Sequence, residues 1–294
     1  SDPPVSDPWS SDGYRLLKSE DYAATWEDLT DTLDDVDDSA NITITEIFRV
    51  ATDWVDPDFV AVALEEDTEI RVYFSTDGGS SFEDADDVED GTSILSFVSD
   101  LAVSPEAGGN REIAIGGQDT LDAAGLFRST VSGDAAGGWE DATDYAGWDD
   151  EADPGVPVGT LDTELVTDII FSSSWGSDKT ILVTTVDTDD DGFDDIELST
   201  VYLQCGSWST GEGWNEFSTL GIEAVPILED ELLPMWVANQ FDARGIAGMT
   251  LPEDYDSDIA SDRLLWVWVN YIDTVPDPDE PRCALIRVED DVKK

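Results

Sequence analysis

An acidic segment at residues 187–195 has the residue types and spacing of a calcium-binding loop. Calcium takes six to eight oxygen ligands, and alternate residues of a tight loop can surround the ion. Gly192 stands at the sixth position and permits the sharp turn that such a loop needs. The predicted ligands are four carboxylates and one backbone carbonyl, from Asp187, Asp189, Asp191, Asp195 and Phe193. The alternative is an acidic hairpin tip that binds no ion.

A second alternation of acidic residues lies further along the chain, at residues 254–262. It differs from the first because Ile259 stands where the first segment has its glycine. Carboxylates at alternate positions still suit a hard cation. The predicted ligands here are Asp254, Asp256, Asp258 and Asp262.

The charge of the whole chain is extreme, with 70 acidic residues against 13 basic ones and a formal net charge of −57. Such a surface repels nucleic acids and anionic lipid headgroups, so both are excluded as partners. Self-repulsion at this charge also destabilises a compact chain. We therefore expect bound calcium, high salt or a cationic partner to neutralise it, the alternative being a solvated surface tuned for solubility.

Few kinds of catalytic site are open to this chain, because it contains no histidine. Ser-His-Asp and Cys-His nucleophiles are excluded, as are the usual zinc and haem ligands. Paired carboxylates could still hydrolyse glycosides, but with 70 acidic residues any such pair is uninformative. The sequence predicts that the protein is not an enzyme.

Two further modifications are suggested by single residues. Cys205 and Cys283 lack the spacing of a metal site, so they are either a disulfide or two buried thiols. We expect the disulfide, because the other features of the chain are extracellular. Asn41 begins an Asn-Ile-Thr sequon and is a candidate glycosylation site.

Apolar, β-branched runs separated by turns rich in Gly, Asp and Pro recur along the chain and predict an all-β fold. Each unit opens with a strand, predicted at 42–51, 93–103, 165–171 and 246–251, and three more strands follow it. Repeated four-stranded antiparallel units predict a β-propeller with long acidic loops, the alternative being a β-sandwich. The approximate units are a half blade at 13–41, blades at 42–92, 93–164 and 165–245, and an incomplete blade at 246–294.

Two turns carry a family resemblance. Residues 75–82 match the Asp-box pattern Ser-x-Asp-x-Gly-x-x-aromatic, and residues 19–26 match it except that Ala23 replaces the glycine. The chain therefore resembles the Asp-box (bacterial neuraminidase repeat) and sortilin-like β-propellers, of the non-enzymatic surface-protein kind. In that family the box is a structural turn with its aromatic packed under the hairpin. The residues matched are Ser19, Asp21, Trp26, Ser75, Asp77, Gly79 and Phe82.

The resemblance does not extend to the family's enzymes. A sialidase-like site needs three arginines, and the sequence Phe48-Arg49-Val50 lacks the proline that follows in the sialidase motif. The segment at 187–195 is similar to thrombospondin-type and integrin-propeller calcium loops, because Leu198 replaces the closing glutamate of an EF-hand. The resemblance thus implies a scaffold and a calcium site without implying catalysis.

The leading functional prediction is a calcium-stabilised structural protein, a surface-layer, sheath or filament subunit that is extracellular or on the cell surface. Partial units at both chain ends predict one of two arrangements: the N-terminal strand completes the last blade and closes a small ring, or further sequence or a neighbouring chain completes it. Completion by a neighbouring chain would be strand exchange and would give a homo-oligomer or polymer. The alternative is a glycan- or protein-binding module, and a glycoside hydrolase is the third reading. Six tryptophans lie in predicted loops and are expected to be exposed: Trp9, Trp54, Trp148, Trp175, Trp208 and Trp236. We expect them to anchor long insertions or to fill subunit contacts, whereas a binding module would stack them on sugars.

Overall fold

The computed structural model describes residues 14–34, 36, 44–66, 68–91, 93–148, 163–189, 198–208, 213–214, 225–231, 247–256, 263–273, 280–289 and 292–293. It is all-β, with 61% strand and 6% helix, which confirms the predicted fold class. The strands form several antiparallel sheets, and none of them closes on itself within the described residues. The sheets fit the predicted propeller and the alternative sandwich equally well.

A small N-terminal unit comes first, made of β1 (Leu17–Lys18), β2 (Glu27–Asp28) and the short helix α1 (Thr30–Asp34). Its apolar side chains point to one side and are buried against the first large sheet. The cluster they form with that sheet contains Leu16, Leu29, Leu33, Val62, Leu64, Tyr73 and Phe82. The unit therefore covers a sheet face that would otherwise expose apolar surface.

Four larger antiparallel sheets follow, each with its first four strands in chain order. Sheet I contains β3 (Ile44–Thr52), β4 (Val60–Glu66), β5 (Glu69–Ser75) and β6 (Glu83–Asp87). Sheet II contains β7 (Leu95–Val103), β8 (Asn110–Asp119), β9 (Ala124–Ser132), β10 (Ala135–Ala136) and β11 (Glu140–Asp141), which also pairs with β9; the 3-10 helix η1 (Ala142–Asp144) follows it.

Sheets III and IV repeat this order. Sheet III contains β12 (Thr163–Phe171), β13 (Thr180–Asp189), β14 (Leu198–Ser207), β15 (Gly213–Trp214) and β16 (Val225–Glu231), with helix α2 (Trp175–Asp178) between its first two strands. Sheet IV contains β17 (Ala247–Thr250), β18 (Leu264–Asp273), β19 (Glu280–Glu289) and β20 (Val292–Lys293). Strands joined in order by hairpins need only short connections.

Consecutive sheets pack face to face, and a buried apolar cluster fills each junction. Central strands such as β4 and β8 are therefore buried on both faces, which explains why their sequences are continuous apolar runs without alternation. Burial of this apolar surface is the main favourable contribution to folding.

The first strands of the four sheets are neighbours in space, in the order β3, β7, β12 and β17. In β3, β7 and β12 the pairing with the second strand is interrupted twice, at equivalent positions. A bulge of this kind bends the strand and re-aims the side chains beside it. The residues inside the second bulge are Phe48, Ser99 and Thr167. Those that follow it are Arg49, Asp100 and Asp168.

In the structure Cys205 and Cys283 are not bonded to each other, which contradicts the expected disulfide. Cys205 lies on β14 in the buried cluster between sheets III and IV, whereas Cys283 is exposed on β19. The physical reason is that the core takes Cys205 as a small apolar side chain, while Cys283 faces solvent.

Candidate functional site

A cavity of about 500 Å³ lies where three of the first strands end. It is lined by Trp54, which follows β3, by three residues at or just after the end of β12, and by three residues after β17. The lining residues are Trp54, Ile170, Phe171, Ser173, Leu251, Pro252 and Glu253. Segments from sheets I, III and IV thus meet around one space, so the first and fourth sheets approach each other at this end.

The lining is mostly apolar, and Trp54 is exposed there, with a relative exposure of 60%. The opposite wall is held in place by hydrogen bonds, since the hydroxyls of Ser173 and Ser174 both donate to the carbonyl of Tyr255, at 2.9 and 3.0 Å. Glu253 is exposed at the rim. Ligand sites in proteins are commonly concave, apolar and supplied with a few polar groups, and this cavity has those properties.

Beside the cavity, two carboxyl groups connect the first strands. Asp100 on β7 accepts a hydrogen bond from the backbone N–H of Ile169 on β12, at 2.8 Å. Asp168 on β12 accepts one from the backbone N–H of Met249 on β17, at 2.5 Å. The two side chains are also hydrogen bonded to each other. The same interaction therefore occurs twice: an aspartate that follows the bulge accepts a hydrogen bond from the first strand of the next sheet.

This pair shares a proton over much of the pH range. Burial raises the pKa of Asp168, and the neighbouring Asp100 carboxylate raises it further, to about 8. Burial also raises the pKa of Asp100, which the nearby charge of Arg49 partly opposes. Two carboxyl groups in contact cannot both ionise at low cost, so one stays protonated near neutral pH.

Hydroxyl groups in the bulges hold this geometry. Ser99 Oγ donates to the carbonyl of Gly116 at 2.9 Å and lies in hydrogen-bond contact with the carbonyl of Val166. Thr167 Oγ1 contacts the carbonyl of Thr184 at 3.2 Å. These contacts join each bulge to the second strand of its own sheet, and Ser99 also reaches β12 of the next sheet.

The turn at residues 75–82 is organised by two side chains. Ser75 Oγ accepts from the N–H of Gly79 at 2.8 Å, and the Asp77 carboxylate accepts from the N–H and hydroxyl of Ser81, both at 2.8 Å. Gly79 has φ +87°, which favours glycine. Phe82 is 5% exposed and packs into the cluster beneath the N-terminal unit.

The turn at residues 19–26 has the same hydrogen bonds. Ser19 Oγ accepts from the N–H of Ala23 at 2.8 Å, and the Asp21 carboxylate accepts from the N–H and hydroxyl of Thr25, both at 2.7 Å. Its aromatic residue differs from the expectation, because Trp26 is 59% exposed and does not pack under the hairpin. The buried neighbours Leu16 and Leu29 occupy the inner side of this unit instead.

The sequence-predicted calcium ligands fall largely outside the described residues. Asp187 and Asp189 lie at the end of β13, while Asp191, Phe193 and Asp195 lie outside the described part. In the second segment Asp254 is exposed and Asp256 is half-buried. Asp258, Asp262 and Asn41 lie outside the described residues. Both calcium segments and the glycosylation site stay predictions.

An acidic cluster that sequence reasoning missed lies beside sheet II. One carboxylate oxygen each from Asp90, Asp141 and Asp144 lies within 4.8 Å of the other two. Burial raises the pKa of Asp141, although the hydroxyl and N–H of Thr143 donate to it. Three carboxylates so close could hold a hard cation. Asp90 is distant from the other two in sequence, so local spacing does not reveal the cluster.

The loop tryptophans divide into two kinds. Trp148 and Trp175 are buried, at 5% and 2% exposure, so the expectation that they are surface residues is wrong. Trp148 meets Trp214 edge to face with ring centroids 4.8 Å apart, and Trp208 lies 5.7 Å from Trp214. These rings anchor long connections, whereas Trp54 is exposed to the cavity. Trp9 and Trp236 lie outside the described residues.

Comparison with protein-family models and with curated protein sequences finds no match to this chain. In the part of the chain that the structure describes, no helix has the length and apolarity needed to cross a membrane.

Proposed function

We propose that the protein is a non-enzymatic binding module on a β-propeller scaffold, with its ligand site in the cavity beside Trp54. Support for the propeller comes from four consecutive antiparallel sheets whose first strands are neighbours. The cavity adds a second argument, since it joins segments of sheets I and IV, as a curved array of sheets would. The two Ser-x-Asp turns agree with membership of the Asp-box family.

The observation that carries the binding function is the exposed indole of Trp54 in a concave, mainly apolar space. An exposed aromatic ring costs free energy in water, and that cost is recovered when a ligand covers the ring. A volume of about 500 Å³ lies within the usual range for ligand sites.

The lining favours an apolar or aromatic group of a protein partner over a sugar ring. A bound sugar needs several polar side chains to satisfy its hydroxyls. Here the polar side chains of the wall are Ser173 and Glu253, and the Ser173 hydroxyl already donates to Tyr255. An apolar group placed against Trp54, Ile170 and Leu251 needs no hydrogen-bond partners.

The test is binding of the neutral apolar dye Nile red to the full chain, followed by fluorescence titration. Trp54→Ala should weaken binding at least tenfold, because it removes the largest apolar surface of the cavity. Trp26→Ala is the matched control, since Trp26 has nearly the same exposure, 59% against 60%, but lies in the N-terminal unit. Equal affinity of the two variants would contradict the proposal.

A second candidate function is the calcium-stabilised structural surface protein predicted from sequence. The observation that favours it is the cluster of Asp90, Asp141 and Asp144 in a chain with net charge −57. Carboxylates in such proximity repel unless a cation neutralises them.

We expect calcium to raise the melting temperature and a chelator to lower it, because a ligand that binds only the folded state stabilises it. Asp144→Asn should remove part of the calcium effect, whereas Asp31→Asn, which removes one charge from helix α1, should not. A melting temperature independent of calcium would eliminate this candidate.

A further inference from the structure

The pair Asp100 and Asp168 lies close to the cavity along β12 without lining it, and its charge narrows the class of ligand. Asp168 and Ile170 are two residues apart on β12, so their side chains point to the same side of the strand, about 6.6 Å apart along it. Ile170 lines the cavity, and Asp168 is half-buried. The Asp100–Asp168 pair therefore lies next to the cavity, one side chain further along the strand.

We infer that the cavity binds a partner segment that carries a lysine next to an apolar residue, with the lysine ammonium placed between Asp100 and Asp168. This inference rests on the proposed binding function. The apolar residue covers Trp54, and the four-carbon stem of lysine passes Ile170. The ammonium then replaces the proton that the two carboxyl groups share.

Charge complementarity supports a cationic ligand over an anionic one. The chain has a net charge of −57, and Glu253 adds a carboxylate at the cavity rim. A cleft lined by one sign of charge raises the local concentration of the opposite ion. The charged groups recorded around the pair are the two carboxyls and Arg49 on β3, while β17 contributes only the Met249 N–H.

Arg49 sets the preference between ligand shapes. Like Asp100 and Asp168, Arg49 follows the second bulge of its strand, and its positive charge lowers the pKa of Asp100. No such cation is found for Asp168 among the described residues. A compact ammonium with three donors can bridge Asp168 to Asp100 beside the existing arginine. A second planar guanidinium would meet the first at close range.

Binding of the ammonium should release a proton, which gives a signature that a structural role would not produce. Asp168 has a pKa of about 8, so below that pH the pair holds a proton that the ligand must displace. The affinity for lysine should therefore rise with pH up to about 8, by at most tenfold per unit, and level off above it.

The probes are two amidated dipeptides, N-acetyl-phenylalanyl-lysine amide and its neutral counterpart with norleucine, measured by calorimetry on the full chain at pH 6 and pH 9. We expect the lysine peptide to bind at least tenfold more tightly at pH 9, with a smaller advantage at pH 6. Asp168→Asn should remove the advantage and its pH dependence, so that the variant binds the lysine and norleucine peptides equally. Asparagine keeps an oxygen that accepts from the Met249 N–H.

Asp31→Asn is the control for net charge, since it removes one exposed carboxylate from the N-terminal unit, and it should leave the lysine advantage intact. Equal binding of both peptides would overturn the lysine inference and leave the cavity function standing. A lysine advantage that survives Asp168→Asn would overturn it too. Failure of both peptides and of Nile red would overturn the binding function itself.

Discussion

The turns at residues 19–26 and 75–82 make the same hydrogen bonds yet differ in what they bury. In each, a serine hydroxyl accepts from the residue four positions on, and an aspartate accepts from the N–H and hydroxyl four positions on. Phe82 is nevertheless 5% exposed and Trp26 59% exposed. The second turn lies under the N-terminal unit, whereas the outer side of the first turn has no such cover among the described residues.

The difference separates what local hydrogen bonds contribute to the turn's conformation from what tertiary packing contributes to stability. Side chains that bond to their own backbone define the turn from sequence alone. Whether the aromatic residue contributes to stability depends on which element covers it, and the turn itself does not decide that. Variants of matched positions in the two turns can measure the two contributions separately.

The largest expected effect is the loss of the buried ring. Phe82→Ala should lower the free energy of unfolding by about 3–5 kcal/mol, since it removes apolar contacts and leaves a cavity beneath the N-terminal unit. Trp26→Ala should change it by less than about 0.5 kcal/mol, because exposed substitutions rarely matter. Urea denaturation of both variants is the measurement, and similar losses would show that the comparison is wrong.

The next effect concerns the residue at the positive φ angle. Gly79→Ala should cost about 1–3 kcal/mol, because φ is +87° and the new Cβ would lie 2.6 Å from Leu29 Cδ1. Part of that contact can be relieved by rotation of the leucine. Ala23 occupies the equivalent position at φ +67°, so Ala23→Gly should be nearly neutral, since the relief of strain offsets glycine's chain entropy. The same denaturation experiment compares them.

The smallest effect is a pH dependence of the turn itself. Burial raises the pKa of Asp77, but hydrogen bonds from Ser81 outweigh it, so the pKa lies below its ordinary value. The associated stability is present above about pH 4 and is lost as pH falls through the folded-state pKa. Asp77→Asn should therefore lose less stability between pH 6 and pH 3 than the wild type. Parallel curves for the two proteins would rule out this contribution.

The sequence was informative about strands because each strand is a local pattern. The first strands predicted at 42–51, 93–103, 165–171 and 246–251 lie within two residues of β3, β7, β12 and β17. The hairpin order of each sheet also follows from short turns between apolar runs. Ring closure is not a local property, so the pattern predicted a propeller without excluding a sandwich.

The candidate site could be predicted only in part. Trp54 was named as an exposed loop tryptophan, but its cavity needs segments of three different sheets. Asp100 and Asp168 are 68 positions apart and resemble every other aspartate in an acidic chain. The bulges after which they lie are register shifts between paired strands, so they exist only once the sheet has formed.

The amino-acid sequence by itself determined the all-β class, the strand positions and the internal chemistry of the two Ser-x-Asp turns. Each depends on neighbouring residues through alternation, turn propensity or hydrogen bonds a few positions apart. The tertiary structure alone decided the burial of Phe82, the contact of Asp100 with Asp168 and the cavity beside Trp54. Those features arise where distant strands pack together, and packing of distant strands has no signature in local sequence.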